Sequence, residues 1–191
     1  MDALTRAFVA VPCGEPLARE LSRRLDAPAG DAPVRWTDPL SWHLTLQFLG
    51  NWPVDRLTAL QHGLEPLRDA PAADLHPAGL GGFPDLRRPQ VLFLQFRDAE
   101  PLVELAARVR QVTGAVWPDG PQDFRSLQPH LTLARVRGSL EAKQVNALKV
   151  IDLNELPPLV MDRFSLMASQ PAAGGARHTE LASFALRKKG E

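Results

Sequence analysis

The sequence predicts an α+β fold, and three observations carry that prediction. Short apolar runs rich in β-branched and aromatic residues alternate with segments whose apolar residues recur at helical spacing. Several runs are joined by short Gly- and Pro-rich connections of the hairpin kind. The string His-Leu-Thr-Leu occurs twice, in HLTLQFLG from His43 and in HLTLARVRG from His130, each time followed by a glycine. The doubling points to two related lobes, each giving one strand to a shared cleft, and not to a short-period solenoid.

The elements follow in order. Arg6–Val11 reads as a buried strand ended by Pro12 and Gly14, and Pro16–Leu25 as a helix striped by Leu17, Leu21 and Leu25. Ala27–Pro33, rich in Ala, Pro, Gly and Asp, reads as a loop, and Val34–Thr37 as a short strand. His43–Leu49 is a strand closed by Gly50; Pro53–Leu67 is a helix with proline near its first turn. Leu75–Leu80 is a strand, Gly81–Pro89 a turn, Val91–Phe96 a strand. Glu100–Val112 is a helix with a stripe of Leu102, Leu105, Val109 and Val112, and Trp117–Gln128 a loop. His130–Val136 is the clearest strand of the second half, and Leu140–Val150 a helix. Leu159–Ala168 and Glu180–Leu186 are closing strands around the loop Pro171–Ala176, and the charged tail from Arg187 is expected to fray.

The chain of 191 residues suits one domain spanning 1–191, and 45% apolar residues supply its interior. There are 22 basic and 22 acidic side chains. That balance argues against a grip on long nucleic acid through its backbone, but not against recognition of one phosphate at a strand end. Cys13, the single cysteine, has no thiol to pair with and no metal-ligand spacing around it. The opening residues lack a signal-peptide pattern, and no apolar run approaches the roughly 20 residues of a membrane span. A cytoplasmic protein is expected.

In a strand, residues two apart share a face. His43 therefore faces the same way as Thr45, and His130 the same way as Thr132, while Leu44, Leu46, Leu131 and Leu133 point into a core. Each copy offers one imidazole and one hydroxyl to the same space from a rigid element. One such motif is an ordinary half-exposed polar face; two copies, holding two of the five histidines, point to chemistry. Imidazole titrates near neutral pH, so one ring can accept a proton while the other donates one. The threonine hydroxyls can donate to the non-bridging oxygens of a phosphodiester. Zinc would want three or four ligands, and neither motif has a carboxylate neighbour or HxH spacing. No GxSxG elbow, GxxxxGK[ST] loop or GxGxxG loop is present. No cofactor and no metal are expected.

The paired strings, together with RAFVAV, VRWTDPLSWHLTLQFLG, GGFPDLRRPQVLFLQF, SLQPHLTLARVRG and SLMASQPAAGGARHTELASFAL in that order, resemble the 2H phosphoesterases, and specifically the RNA 2′,3′-cyclic phosphodiesterases called LigT-like 2′-5′ RNA ligases. The resemblance implies a bilobal fold whose antiparallel sheets flank a central cleft, with helices outside. It implies hydrolysis of RNA 2′,3′-cyclic phosphate ends to a 2′-phosphate, possible reverse 2′-5′ ligation, and no obligate protein partner. It gives His130 as base toward water, His43 as acid toward the 3′ oxygen, and Thr45 and Thr132 as phosphate ligands. Another cyclic phosphate, a 2′-5′ oligonucleotide or simple capture of RNA ends remains as an alternative reading.

The resemblance also makes Arg135 a candidate phosphate ligand, although regular alternation from His130 aims it at the core, so a bulge or strand end is required. Phe48 has the parity of Leu44 and Leu46 and reads as core. Relatives often carry a tyrosine in the last hairpin; here His178 stands in the similar place, and it reads as a solvated loop residue; His62 on its helix and His76 beside Pro77 read as solvated too. Trp36 and Trp42 can line the cleft or fill the core. Arg6, Arg87 and Arg88 can touch nucleotide phosphates, with a solvated face as the default for all three.

Overall fold

The computed structural model describes residues 3–29, 33–120, 126–153, 155–172 and 175–188. Nine strands and four α-helices follow in the order β1 (Leu4–Pro12), α1 (Glu15–Ala29), β2 (Val34–Trp36), β3 (His43–Pro53), α2 (Leu57–Leu64), β4 (Ala73–Phe83), β5 (Val91–Arg97), α3 (Glu100–Val116), β6 (His130–Val136), α4 (Ala142–Lys149), β7 (Leu159–Met161), β8 (Arg163–Ala172) and β9 (Gly175–Ala185) among the described residues. The strands form one sheet in the order β7-β4-β5-β6-β3-β1-β8-β9, with β2 added beside β6. Every strand pair is antiparallel. No helix among the described residues is long and apolar enough to cross a membrane.

The two motif strands are neighbours. β3 and β6 pair at Leu44 and Leu131 alone. On one side of that contact β2 takes over pairing with β6; on the other side the strands part. The four motif leucines face the core and are at most 2% exposed. At about 1.5–3 kcal/mol for each fully buried leucine, they pin the strands that carry the histidines.

Three register shifts on the two motif strands reset the alternation. Along β1 the partners run Ala7–Gly50, Phe8–Phe48, Val9–Gln47, Ala10–Thr45, which leaves Leu49 and Leu46 as extra residues on β3. Gly50 sits at φ +66 beside the first of these, in the left-handed region that suits glycine. Against β5 the partners run Val91–Arg135, Leu92–Ala134, Phe93–Thr132, which leaves Leu133 extra on β6.

Several boundaries differ from expectation. α1 runs on through Ala29, into the expected loop, of which residues 30–32 lie outside the described residues. β3 continues past Gly50 to Pro53 because β1 keeps pairing as far as Leu4. The segment read as one helix from Pro53 is a 3₁₀ turn at Val54–Arg56, α2, and a second 3₁₀ turn at Glu65–Asp69, where Pro66 cannot continue an α-helix. β4 takes in Gly81 and Gly82. α3 runs to Val116, since Trp117 packs on Trp52 with ring centroids 5.2 Å apart. α4 starts after a capping box made by Glu141 and Gln144. The closing strand read from Leu159 is two strands, β7 on β4 and β8 on β1. β8 and β9 extend to Ala172 and from Gly175, into the expected loop. Arg187 is tied down, donating its N–H to Ala70 O and accepting from Ala72 N–H; residues 189–191 lie outside the described residues.

Candidate active site

His43 opens β3 and His130 opens β6, and both rings are half-buried. His43 Nδ1 lies 2.7 Å from Ser41 O, and His130 Nδ1 lies 2.7 Å from Gln128 O. A carbonyl only accepts, so each Nδ1 carries the hydrogen. That leaves both Nε2 atoms to take or give a proton, and neither has a partner among the described residues. Thr45 and Thr132 are half-buried, and their hydroxyls likewise have no protein partner among the described residues.

Each imidazole rests on aromatic rings. His43 stacks on Phe8 at 4.8 Å. His130 meets Phe83 at 5.3 Å and Phe93 at 5.5 Å edge to face. Burial depresses the His43 pKa; the bond to the Ser41 carbonyl opposes this, and repulsion by charge on His178 and His130 adds to it. A bound phosphate anion would favour its charged form again.

Cross-strand partners share a face, so the register settles two residues whose parity was in question. Phe93, partner of Thr132, and Val91, partner of Arg135, lie two apart on β5. The extra residue Leu133 thus returns Arg135 to the face of His130 and Thr132. Phe48 does not pack in the core as its parity suggested. Its partner Phe8 lies two before Ala10, the partner of Thr45, so Leu46 puts Phe48 on the site face, where it is 56% exposed.

His178 is not a solvated loop residue either. It lies in β9, its ring edge-on to His43 at 5.4 Å and to Phe8 at 5.0 Å, with a buried Nδ1 lacking a partner among the described residues and a pKa depressed by burial. Trp42 is core and donates Nε1–H to Thr37 Oγ1; Trp36 is partly buried against the core. Arg6, Arg87, Arg88 and His62 are exposed, and His76 is half-buried.

Where β3 and β6 part, a cleft of about 500 Å³ opens, lined by Thr45, Gln47, Phe48, Phe83, Arg110 and His130 among others. Arg110 enters from α3, and no carboxylate lines this cleft among the described residues. Sequence reasoning missed Arg110, Phe8, Phe83 and Phe93, because only pairing and helix packing bring them to the motifs. No group of three or more His, Cys, Asp or Glu side chains among the described residues is placed to hold a metal ion.

An antiparallel sheet that sets two His-x-Thr strands side by side, each with a free Nε2, defines a two-histidine phosphoesterase, and this chain is an enzyme of that class. Residues 17–170 match the model of the 2′-5′ RNA ligase superfamily; the chain belongs to that superfamily. It is 27% identical over 184 residues to an RNA 2′,3′-cyclic phosphodiesterase of Methanothermobacter thermautotrophicus, covering 95% of this chain and 98% of that one. It is 30% identical over 144 residues to the protein of the same name from Bacillus subtilis, covering 70% and 73%. Among solved structures, Escherichia coli LigT complexed with 3′-AMP aligns with TM-score 0.75 and 25% identity over 96% of this chain and 98% of that one. A Thermus thermophilus protein aligns with TM-score 0.79 and 24% identity, over 96% and 99%.

Proposed function

We propose that this protein hydrolyses RNA 2′,3′-cyclic phosphate ends to a 2′-phosphate by acid–base catalysis between His130 and His43. The observation that carries the reading is the matched pair of Nδ1–carbonyl bonds, which aims two unpartnered Nε2 atoms from adjacent strands. His130 Nε2 takes a proton from water as the water oxygen bonds to phosphorus. The bond from phosphorus to the 3′ oxygen breaks, and His43 Nε2 gives that oxygen its proton. Thr45 and Thr132 donate to the non-bridging oxygens, and Arg135 offsets their charge. The names of the relatives support the substrate class. With a 5′-hydroxyl held close in place of water, the same pair would open the ring onto that hydroxyl and leave a 2′-5′ linkage.

The test is turnover of a short RNA ending in a 2′,3′-cyclic phosphate, with EDTA present and the 2′- and 3′-phosphate products resolved. Expected is 2′-phosphate product, reduced at least about a hundredfold in each of His43→Ala and His130→Ala. Activity surviving in both variants, or appearing only with added metal, refutes the mechanism. Activity on other cyclic phosphates alone would move the substrate assignment.

A further inference from the structure

The register brings a second arginine to the site face. Arg35 on β2 is the direct cross-strand partner of Arg135 on β6. Directly opposed residues have Cβ atoms about 4.5–5.5 Å apart and share a face. Arg135 lies on the face of Thr132 and His130, so Arg35 does too. Trp36, the next residue, pairs with the buried Ala134 and packs on the other face. Arg35 is half-buried and Arg135 exposed, and neither makes an ion pair or a side-chain hydrogen bond among the described residues. Like charges directly opposed in a sheet oppose folding. Elsewhere this chain gives arginines acidic neighbours, as in Arg23 and Arg24 on Glu20 or Arg68 on Glu65. Here two guanidiniums stand together without a counter-charge among the described residues, on the side where a phosphate is to be held.

We propose that Arg35 and Arg135 together form a phosphate-binding pair for the RNA substrate, with Arg35 a binding residue in its own right. Two forked, permanently charged donors side by side match the several oxygens of a phosphate. The anion supplies the counter-charge that the strands omit. The inference rests on the functional reading above for its substrate, RNA, but not for its chemistry. The phosphate can be the reacting one or the linkage that joins the last two nucleotides.

The experiment compares wild type with Arg35→Gln, Arg135→Gln, the double variant and Arg35→Lys. In low-salt, phosphate-free buffer, Arg35→Gln and Arg135→Gln are each expected to melt about 1–3 °C higher than wild type, because either change removes the repulsion. The double variant gains little more than a single one, as coupled neighbours do. Inorganic phosphate then raises the melting temperature of wild type more than that of Arg35→Gln. Turnover of a dinucleotide with a 2′,3′-cyclic end falls about tenfold in Arg35→Gln, mainly through KM, and Arg35→Lys recovers part of it. An equal loss on adenosine 2′,3′-cyclic phosphate assigns the pair to the reacting phosphate; a larger loss on the dinucleotide assigns it to the linkage. The proposal is overturned if Arg35→Gln melts no higher than wild type, or if phosphate protects both equally. Absence of turnover in wild type would sink the functional reading, and the melting arm would still decide the arginine pair.

Discussion

Phe8→Ala is the perturbation that tests most about how the site is held. Phe8 is 3% exposed, stacks on His43 at 4.8 Å, meets His178 at 5.0 Å and lies 6.2 Å from Phe48. Removing a buried phenylalanine ring costs about 3–5 kcal/mol, and a site that borders a cleft can admit water, so the lower end, about 3 kcal/mol, is expected. For a chain of this size that lowers the melting temperature by about 6–12 °C. Burial is the chief reason that the His43 pKa lies below its ordinary 6.5, so water in place of the ring moves it upward. The sign for stability follows by linkage. A folded-state pKa below the unfolded one means that the unfolded chain binds the proton more tightly. Wild type therefore loses stability as pH falls through 6.5 toward the depressed value, and the variant loses less. With His43 as the acid, its higher pKa carries the alkaline limb of the pH–rate profile upward. The assay is an NMR titration of the His43 ring beside that profile. An unchanged or lower pKa refutes the burial argument, and an acidic limb that moves instead exchanges the roles of the two histidines.

Further outcomes can be checked on the same protein. Gly81→Ala is expected to lower kcat by about tenfold to a hundredfold, since the added Cβ would overlap the Phe93 ring at Cε2 and Cζ, and Phe93 braces His130; steady-state kinetics decide it. Thr113→Val leaves the buried Gln47 Oε1 without the hydroxyl now 3.0 Å away, a cost of about 1–3 kcal/mol read as a melting shift, with Thr113→Ser as the near-neutral control. Cys13 is 3% exposed with its thiol pushed up to about 12 by burial, so a disulfide reagent at pH 8 should label it only in denaturant. Fast labelling of the folded protein would mean that the β1–α1 junction opens.

The motif strands were legible because alternation and burial agree: each His and Thr is half-buried and each intervening Leu is core. His43, Thr45, His130 and Thr132 could be placed on one side of each strand from period alone. Phe48 and Arg135 could not, because a bulge depends on what the neighbouring strand pairs with, and counting by twos presumes none. Strand lengths failed for the same cause: β3 outlasts Gly50 and β9 starts before the apolar residues do, since β1 and β8 hold them by main-chain bonds that composition does not encode. His178 and Arg35 reach the site through pairings that a local window does not contain. The turn of α3 beyond Val112 leads to Trp117, whose contact with Trp52 on β3 is equally invisible to such a window.

The groups that orient both imidazoles are peptide carbonyls, at Ser41 and Gln128. A carbonyl is common to every residue type, so the side chains at those two positions are released from the orienting task. Sequence drift there is tolerated as long as the backbone torsions persist. The reverse holds for the torsions themselves: no substitution elsewhere can replace a carbonyl that has rotated away. The tautomer of each histidine is thereby inherited from the path of the chain and not from a neighbouring acid. A third residue of the kind that steadies the histidine in a serine hydrolase has no task to perform here.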